Sequence, residues 1–137
     1  MEDKFPQRTN KPWGYELLWA YTPKYAGKLI FIMKGGRLSL QYHKKKDETL
    51  YVHEGKALVE LETSDGRLMR LNATPGDCFR VPPLTKHRIE ALEDTTLFEV
   101  STPELDDVER LEDDYGRAHQ QVDSPPIASR DIKHDLI

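Results

Sequence analysis

Along the chain, short apolar runs alternate with clusters of turn residues, the spacing of an all-β sandwich or barrel. Lys28 to Met33 (KLIFIM) is strongly apolar and is closed by Gly35-Gly36. From Arg37 to His43 (RLSLQYH) the pattern has a period of two, with Leu38, Leu40 and Tyr42 on one face and Arg37, Ser39, Gln41 and His43 on the other. ALVELETS and RLMRLNA flank Asp65-Gly66, which predicts a hairpin closed by a type I′ turn. Pro75-Gly76 marks another turn; DCFRV, HRIEAL and TTLFEVS read as strands, and PPLTK as a loop. Leu105, Val108 and Leu111 are spaced three apart, which predicts one or two helical turns stopped at Gly116. The expected organisation is one barrel over residues 1–117 and a polar tail or strap over 118–137.

At 137 residues the chain is the size of one domain and can bury a core without a stapling disulfide or metal. A metal in such a protein is there for function. A formal net charge of −4 argues against a nucleic-acid partner, because a phosphate backbone selects a basic face. The N-terminal stretch MEDKFPQRTNKPWG has no signal-like apolar run, and no segment is apolar enough for a membrane span. The expected location is therefore the cytoplasm. The single cysteine, Cys78, excludes an intramolecular disulfide and a multi-thiolate zinc cage.

The histidines carry the chemistry. Gln41 and His43 are two apart on one predicted strand, so both side chains leave the same face. Glu48 follows after a short lysine-rich turn and can return beside them, while His87 opens a later strand just after Pro82-Pro83. Two imidazoles, a carboxylate and an amide oxygen make a mixed nitrogen and oxygen set, suited to zinc, manganese, cobalt, nickel or iron. Without an ion, the same residues form a buried polar network or an exposed polar face. His53 leaves the face opposite to Glu48 and is not expected to be a ligand.

Gly35, Gln41-x-His43, Glu48 and Gly55 have the spacing of the first cupin motif, with glutamine at its first ligand position. Gly76, Pro82 and His87 resemble the second motif, with Leu84 and Ala91 at its usual glycine and asparagine. Several segments resemble the isomerase domain of type II phosphomannose isomerases: Lys11-Pro12-Trp13-Gly14, Lys28, Leu38-Ser39-Leu40-Gln41-x-His43, His87-Arg88-Ile89, Glu99-Val100 and the stretch from Asp106 to Arg117. Lys46, Thr49 and Leu50 depart from that family, which tends to have arginine, histidine and tryptophan there.

The resemblance implies a single cupin jelly-roll barrel, a double-stranded β-helix, and an enzyme that interconverts an aldose and a ketose through an enediol. Mannose 6-phosphate is the implied type of substrate. One divalent ion, zinc first among the candidates, would be held by Gln41, His43, Glu48 and His87. Arg88 is the expected catalytic residue, stabilising negative charge, although strand alternation sets it opposite to its neighbour His87. Lys28 and Lys46 are the expected substrate-binding residues, each offering an ammonium group to a phosphate. Glu99, Asp107 and a metal-bound hydroxide are the alternatives for the general base. A sugar-binding cupin without catalysis and an iron-dependent dioxygenase are the competing readings. Exposed strand edges further predict a homodimer.

Overall fold

The computed structural model describes residues 4–118, which form eleven strands and no helix among the described residues. In chain order they are β1 Gln7–Lys11, β2 Gly14–Tyr21, β3 Ala26–Ile32, β4 Leu40–Tyr42, β5 Glu48–Glu54, β6 Ala57–Glu62, β7 Leu68–Ala73, β8 Cys78–Val81, β9 His87–Ala91, β10 Thr95–Ser101 and β11 Glu109–Glu112. They build a six-stranded sheet in the order β1-β2-β3-β10-β5-β8 and a five-stranded sheet in the order β11-β4-β9-β6-β7. All pairings are antiparallel. This is the all-β architecture that the strand pattern predicts and the single jelly-roll barrel that the resemblance implies. The predicted tail over 118–137 lies outside the described residues except for Ala118.

The two sheets face each other across a core of Trp13, Ile30, Ile32, Leu38, Leu50, Val52, Val59, Val81, Ile89 and Leu97 with smaller alanines between them. Alternation explains which side chains enter it: Ile30 and Ile32 from β3, Leu50 and Val52 from β5, and Ile89 and Ala91 from β9 are each two residues apart. The same inward rows continue into charge. Lys28 precedes Ile30, Glu48 precedes Leu50, His87 precedes Ile89, and Glu99 follows Leu97, all buried. The barrel interior therefore has an apolar region and a polar one, built by the same strands.

Two local expectations are corrected. Asp65-Gly66 does close the β6–β7 hairpin, but not as a type I′ turn, since only Gly66 has positive φ, at 85°. The Gly66 amide donates to the Thr63 carbonyl at 2.9 Å and the Thr63 amide to that of Arg67 at 2.7 Å. The three-residue connection with a left-handed glycine at its end explains both bonds. The predicted helical turns near Gly116 are instead short turns followed by β11, which pairs with β4. Leu105 and Val108 are buried as the spacing required, but Leu111 is 38% exposed. Strand pairing satisfies the free edge of β4, and a helix of so few residues would leave that edge open.

The segment after β11 is clasped to the barrel by charge. Asp113 accepts bonds from the backbone amide, Nε and Nη2 of Arg117 across Gly116, whose φ is 78°. Asp114 takes a two-pronged bond from Arg37 at 2.7 and 2.8 Å. These contacts account for Gly116 and Arg117: the glycine turns the chain so that the arginine folds back on Asp113.

Candidate metal centre

His43, just after β4, Glu48 at the start of β5 and His87 at the start of β9 converge inside the polar region, with one ligand atom from each lying within 4.8 Å of the others. All three are buried, and the two imidazole rings stand 5.1 Å apart between centroids. Gln41 is Cα-paired with His87 across β4 and β9 and is fully buried. The row Ser39, Gln41 and His43 thus turns inward, while Leu40 and Tyr42 on the other face are half-exposed.

Hydrogen bonding fixes what the imidazoles present. His43 Nδ1 donates to the Asp107 carbonyl at 2.6 Å, and His87 Nδ1 donates to the Thr85 carbonyl at 3.0 Å. A carbonyl only accepts, so each ring carries a proton on Nδ1 and turns its Nε2 toward the cluster. Among the described residues, neither Nε2 nor either oxygen of Glu48 has a hydrogen-bond partner. Yet His43 Nε2 is 2.8 Å from Glu48 Oε2. Two lone pairs cannot face each other at that distance unless a proton or a metal ion lies between them.

Gln41 fits the same site. Its Nε2 has no partner, while its Oε1 accepts from the Ser39 hydroxyl at 3.0 Å. Rotation of the amide by half a turn keeps the bond to Ser39, with the hydroxyl accepting, and turns the oxygen toward the unpartnered side. Three of the sequence-predicted ligands, His43, Glu48 and His87, thus converge, and Gln41 is buried beside His87 on the neighbouring strand.

Behind the cluster runs a chain of buried charges. Lys46 Nζ lies 3.5 Å from Glu48 Oε2 and 3.2 Å from Glu99 Oε2. Lys28 Nζ lies 3.6 Å from both Glu99 and Glu16. Both lysines are fully buried between carboxylates, so neither is the solvent-facing phosphate holder that the sequence suggests. Lys44 and Lys45 of the same run are exposed. Lys46, in the turn before β5, points inward to lie between Glu48 and Glu99. Glu16 was not anticipated, although its place two residues before buried Leu18 in an apolar strand carries the signal.

Arg88 is corrected. Adjacent strand residues face opposite ways, and the guanidinium lies away from the cluster: Nε donates to the Leu38 carbonyl at 2.9 Å and Nη2 to that of Glu112 at 3.4 Å, with Asp114 3.6 Å away. It ties β9 to the 112–114 segment. His53 is half exposed and packs on Phe98 at 5.0 Å, outside the cluster. Leu84, in the loop before β9, has φ of 66°, a left-handed conformation costly for leucine, and its amide donates to the His43 carbonyl at 2.6 Å.

Electrostatics separates the two ends of the chain of charges. For Glu48, burial works against ionisation, but the Lys46 ammonium and His43 more than reverse it and hold the carboxyl well below its usual range. For Lys46, burial opposes the charge, and Glu48 and Glu99 restore it, holding the ammonium above its ordinary value. Deeper in, burial dominates: it raises Glu16 and lowers Lys28. His87 is pushed down to about 4, chiefly by burial, so it is neutral at physiological pH and available as a ligand.

The depressed His87 value makes the metal-free protein acid-sensitive. The unfolded chain takes up a proton near pH 6.5, whereas the folded one resists until about 4, so the stability held above pH 6.5 is lost as the pH falls through this window. The loss expected from this group alone is about 3 kcal/mol, read by urea denaturation at several pH values. His87→Asn is expected to flatten the slope in that interval, and an unchanged slope would contradict it.

Comparison with known proteins agrees with this geometry. The cupin domain family matches residues 28–101, which contain all four proposed ligands. Among solved structures, KdgF from Halomonas sp. is 28% identical, with the match covering 68% of this chain and 82% of that one at a TM-score of 0.62. An RmlC-like cupin from Shewanella frigidimarina is 21% identical over 72% of this chain and 84% of its own, also at 0.62. Oxalate decarboxylase from Bacillus subtilis, in a structure concerned with its Mn(II) centres, is 21% identical over 70% of this chain but only 27% of its own, at 0.62. No curated protein sequence matches. The family match spans more than half of the chain and coincides with the barrel and its inward donor set: the chain belongs to the cupin domain family.

Proposed function

We propose that this cupin binds one divalent metal ion, zinc first, through Gln41, His43, Glu48 and His87, and isomerises an aldose phosphate such as mannose 6-phosphate to the ketose. The observation that carries the reading is the Lys46–Glu99 pair, a buried acid and base 3.2 Å apart with Lys46 also touching the ligand Glu48. When bound, a divalent ion polarises the substrate carbonyl and stabilises the negative charge that develops beside it. The chain supplies the proton chemistry. Glu99 carboxylate removes the proton from the carbon next to the carbonyl and returns it to the former carbonyl carbon, while the hydroxyl proton of the neighbouring carbon passes to the former carbonyl oxygen. Lys46 donates a hydrogen bond to the oxygen on which charge grows. Asp107, the other carboxylate considered for the base, is occupied by three backbone amides and is not available.

A second reading is favoured by the same charges. Glu99 already lies against two ammonium groups, Lys28 and Lys46, contacts it would have to give up to take a proton from substrate. In that case the protein binds metal and sugar without turnover. The two readings separate in heavy water: isomerisation requires deuterium to enter the sugar at the carbon next to the carbonyl or product to accumulate, and simple binding gives neither. With zinc-loaded protein and mannose 6-phosphate, the isomerase reading expects fructose 6-phosphate to form, and Glu99→Gln to lower kcat by about 100-fold or more while metal content stays at the wild-type level. Retained turnover in Glu99→Gln would remove Glu99 from the mechanism. Absence of turnover on any aldose phosphate would leave the binding reading.

A homodimer belongs to the same proposal, through a face rather than an edge. The outer surface of the six-stranded sheet exposes Trp19, Tyr51 and Val100 by 51%, 44% and 56%, with Phe98 stacked beside Tyr51. A monomer rarely shows water so large an apolar tract. Val100→Glu is expected to halve the sedimenting mass, and a monomeric wild type would overturn the dimer.

A further inference from the structure

One residue contacts both arms of the metal centre without offering it a ligand. The four residues between His43 and Glu48 form a tight turn, and the Asp107 carboxylate receives three consecutive amides from it: Lys44 at 3.0 Å, Lys45 at 2.6 Å and Lys46 at 2.9 Å. The carbonyl of the same residue accepts the His43 Nδ1 proton at 2.6 Å. The main chain of Asp107 thus acts on the His43 ring and its side chain on the turn that leads from His43 toward Glu48. Nearby bonds brace this arrangement: the Asp47 amide donates to Thr102 Oγ1 and the Thr102 amide to the Asp47 carbonyl, both at 3.0 Å.

The consequences follow from hydrogen-bond chemistry. Three amides converging on one carboxylate fix the backbone of the turn, and with it the inward direction of Lys46 and of Glu48 two residues later. The bond to the carbonyl holds a proton on Nδ1 and sets the ring orientation of His43, so that Nε2 faces Glu48. A carboxylate holding only the turn, or a carbonyl holding only the ring, would leave the other arm free to move.

We infer that Asp107 is a positioning residue of the metal centre, its carboxylate shaping the 44–46 turn and its carbonyl setting the tautomer and aim of His43. This rests on the reading of His43, Glu48 and His87 as a metal site, and the test separates the two. Three variants are compared: Asp107→Ala, which removes all three acceptor contacts; Asp107→Asn, which can keep two of them through one oxygen; and Asp114→Asn, which loosens the same chain segment at Arg37 but touches neither ligand.

Zinc alone is titrated into the metal-free proteins by calorimetry, and the His43 ring is read by ¹⁵N–¹H correlation spectroscopy. Asp107→Ala is expected to weaken zinc binding about 10- to 100-fold, Asp107→Asn by less, and Asp114→Asn not at all. The metal-free wild type is expected to show His43 Nδ1 fully protonated and held in a hydrogen bond, and Asp107→Ala a mixture of ring states. If Asp107→Ala does not fold, Asp107→Asn provides both readouts. Equal zinc affinity in the Asp107 variants and wild type, equal loss in Asp114→Asn, or an Nε2–H tautomer in the wild type would overturn the inference. If the wild type takes up no zinc, the metal reading fails by itself, and the His43 tautomer still decides whether Asp107 positions the ring.

Discussion

The constraint on which this structure turns is the inward alternation of its strands. A side chain two residues before a buried leucine or isoleucine must also enter the barrel, whatever its charge. Lys28, Glu48, His87 and Glu16 all occupy such positions, so the interior has to compensate ions that water would otherwise solvate. It does so in a line: Glu16, Lys28, Glu99, Lys46 and Glu48 alternate in sign. The line ends at Glu48 with an excess of carboxylate beside the inward Nε2 atoms of His43 and His87. Among the described residues none of these atoms has a hydrogen-bond partner, and a divalent cation would satisfy them together.

This arrangement also explains why the charges are not interchangeable with apolar residues of similar size. Removing one member would leave its neighbour buried and uncompensated, which costs more than the pair itself contributes. Lys46 is the pivot, because it touches the carboxylates of Glu48 and Glu99 together. The bonds from Asp107, Thr85 and Leu84 then hold the ligands from outside. Leu84 accepts a left-handed backbone in the same loop that anchors both His43 and His87, so backbone strain gathers where the ligands are fixed.

Much of this was legible before any coordinates. The period-two pattern of Arg37 to His43 placed Gln41 and His43 on one face, and alternation placed Glu48 there as well. What misled was context that only packing supplies. Lys46 lies in a run of three lysines, which reads as solvated, whereas packing buries it between Glu48 and Glu99. Arg88 borrowed a role from its neighbour His87 despite facing the other way. Leu105, Val108 and Leu111 mimic a helix stripe, but the open edge of β4 recruits the segment as a strand. Asp107 was weighed only as a base, since three backbone amides converging on a carboxylate leave no trace in residue order.

The most direct test of the central claim is a crystal structure of zinc-loaded protein with an anomalous difference map collected at the zinc edge. A single peak is expected within coordinating distance of His43 Nε2, His87 Nε2, a Glu48 oxygen and the Gln41 amide oxygen. An interior without a peak, or a peak on other residues, would contradict it.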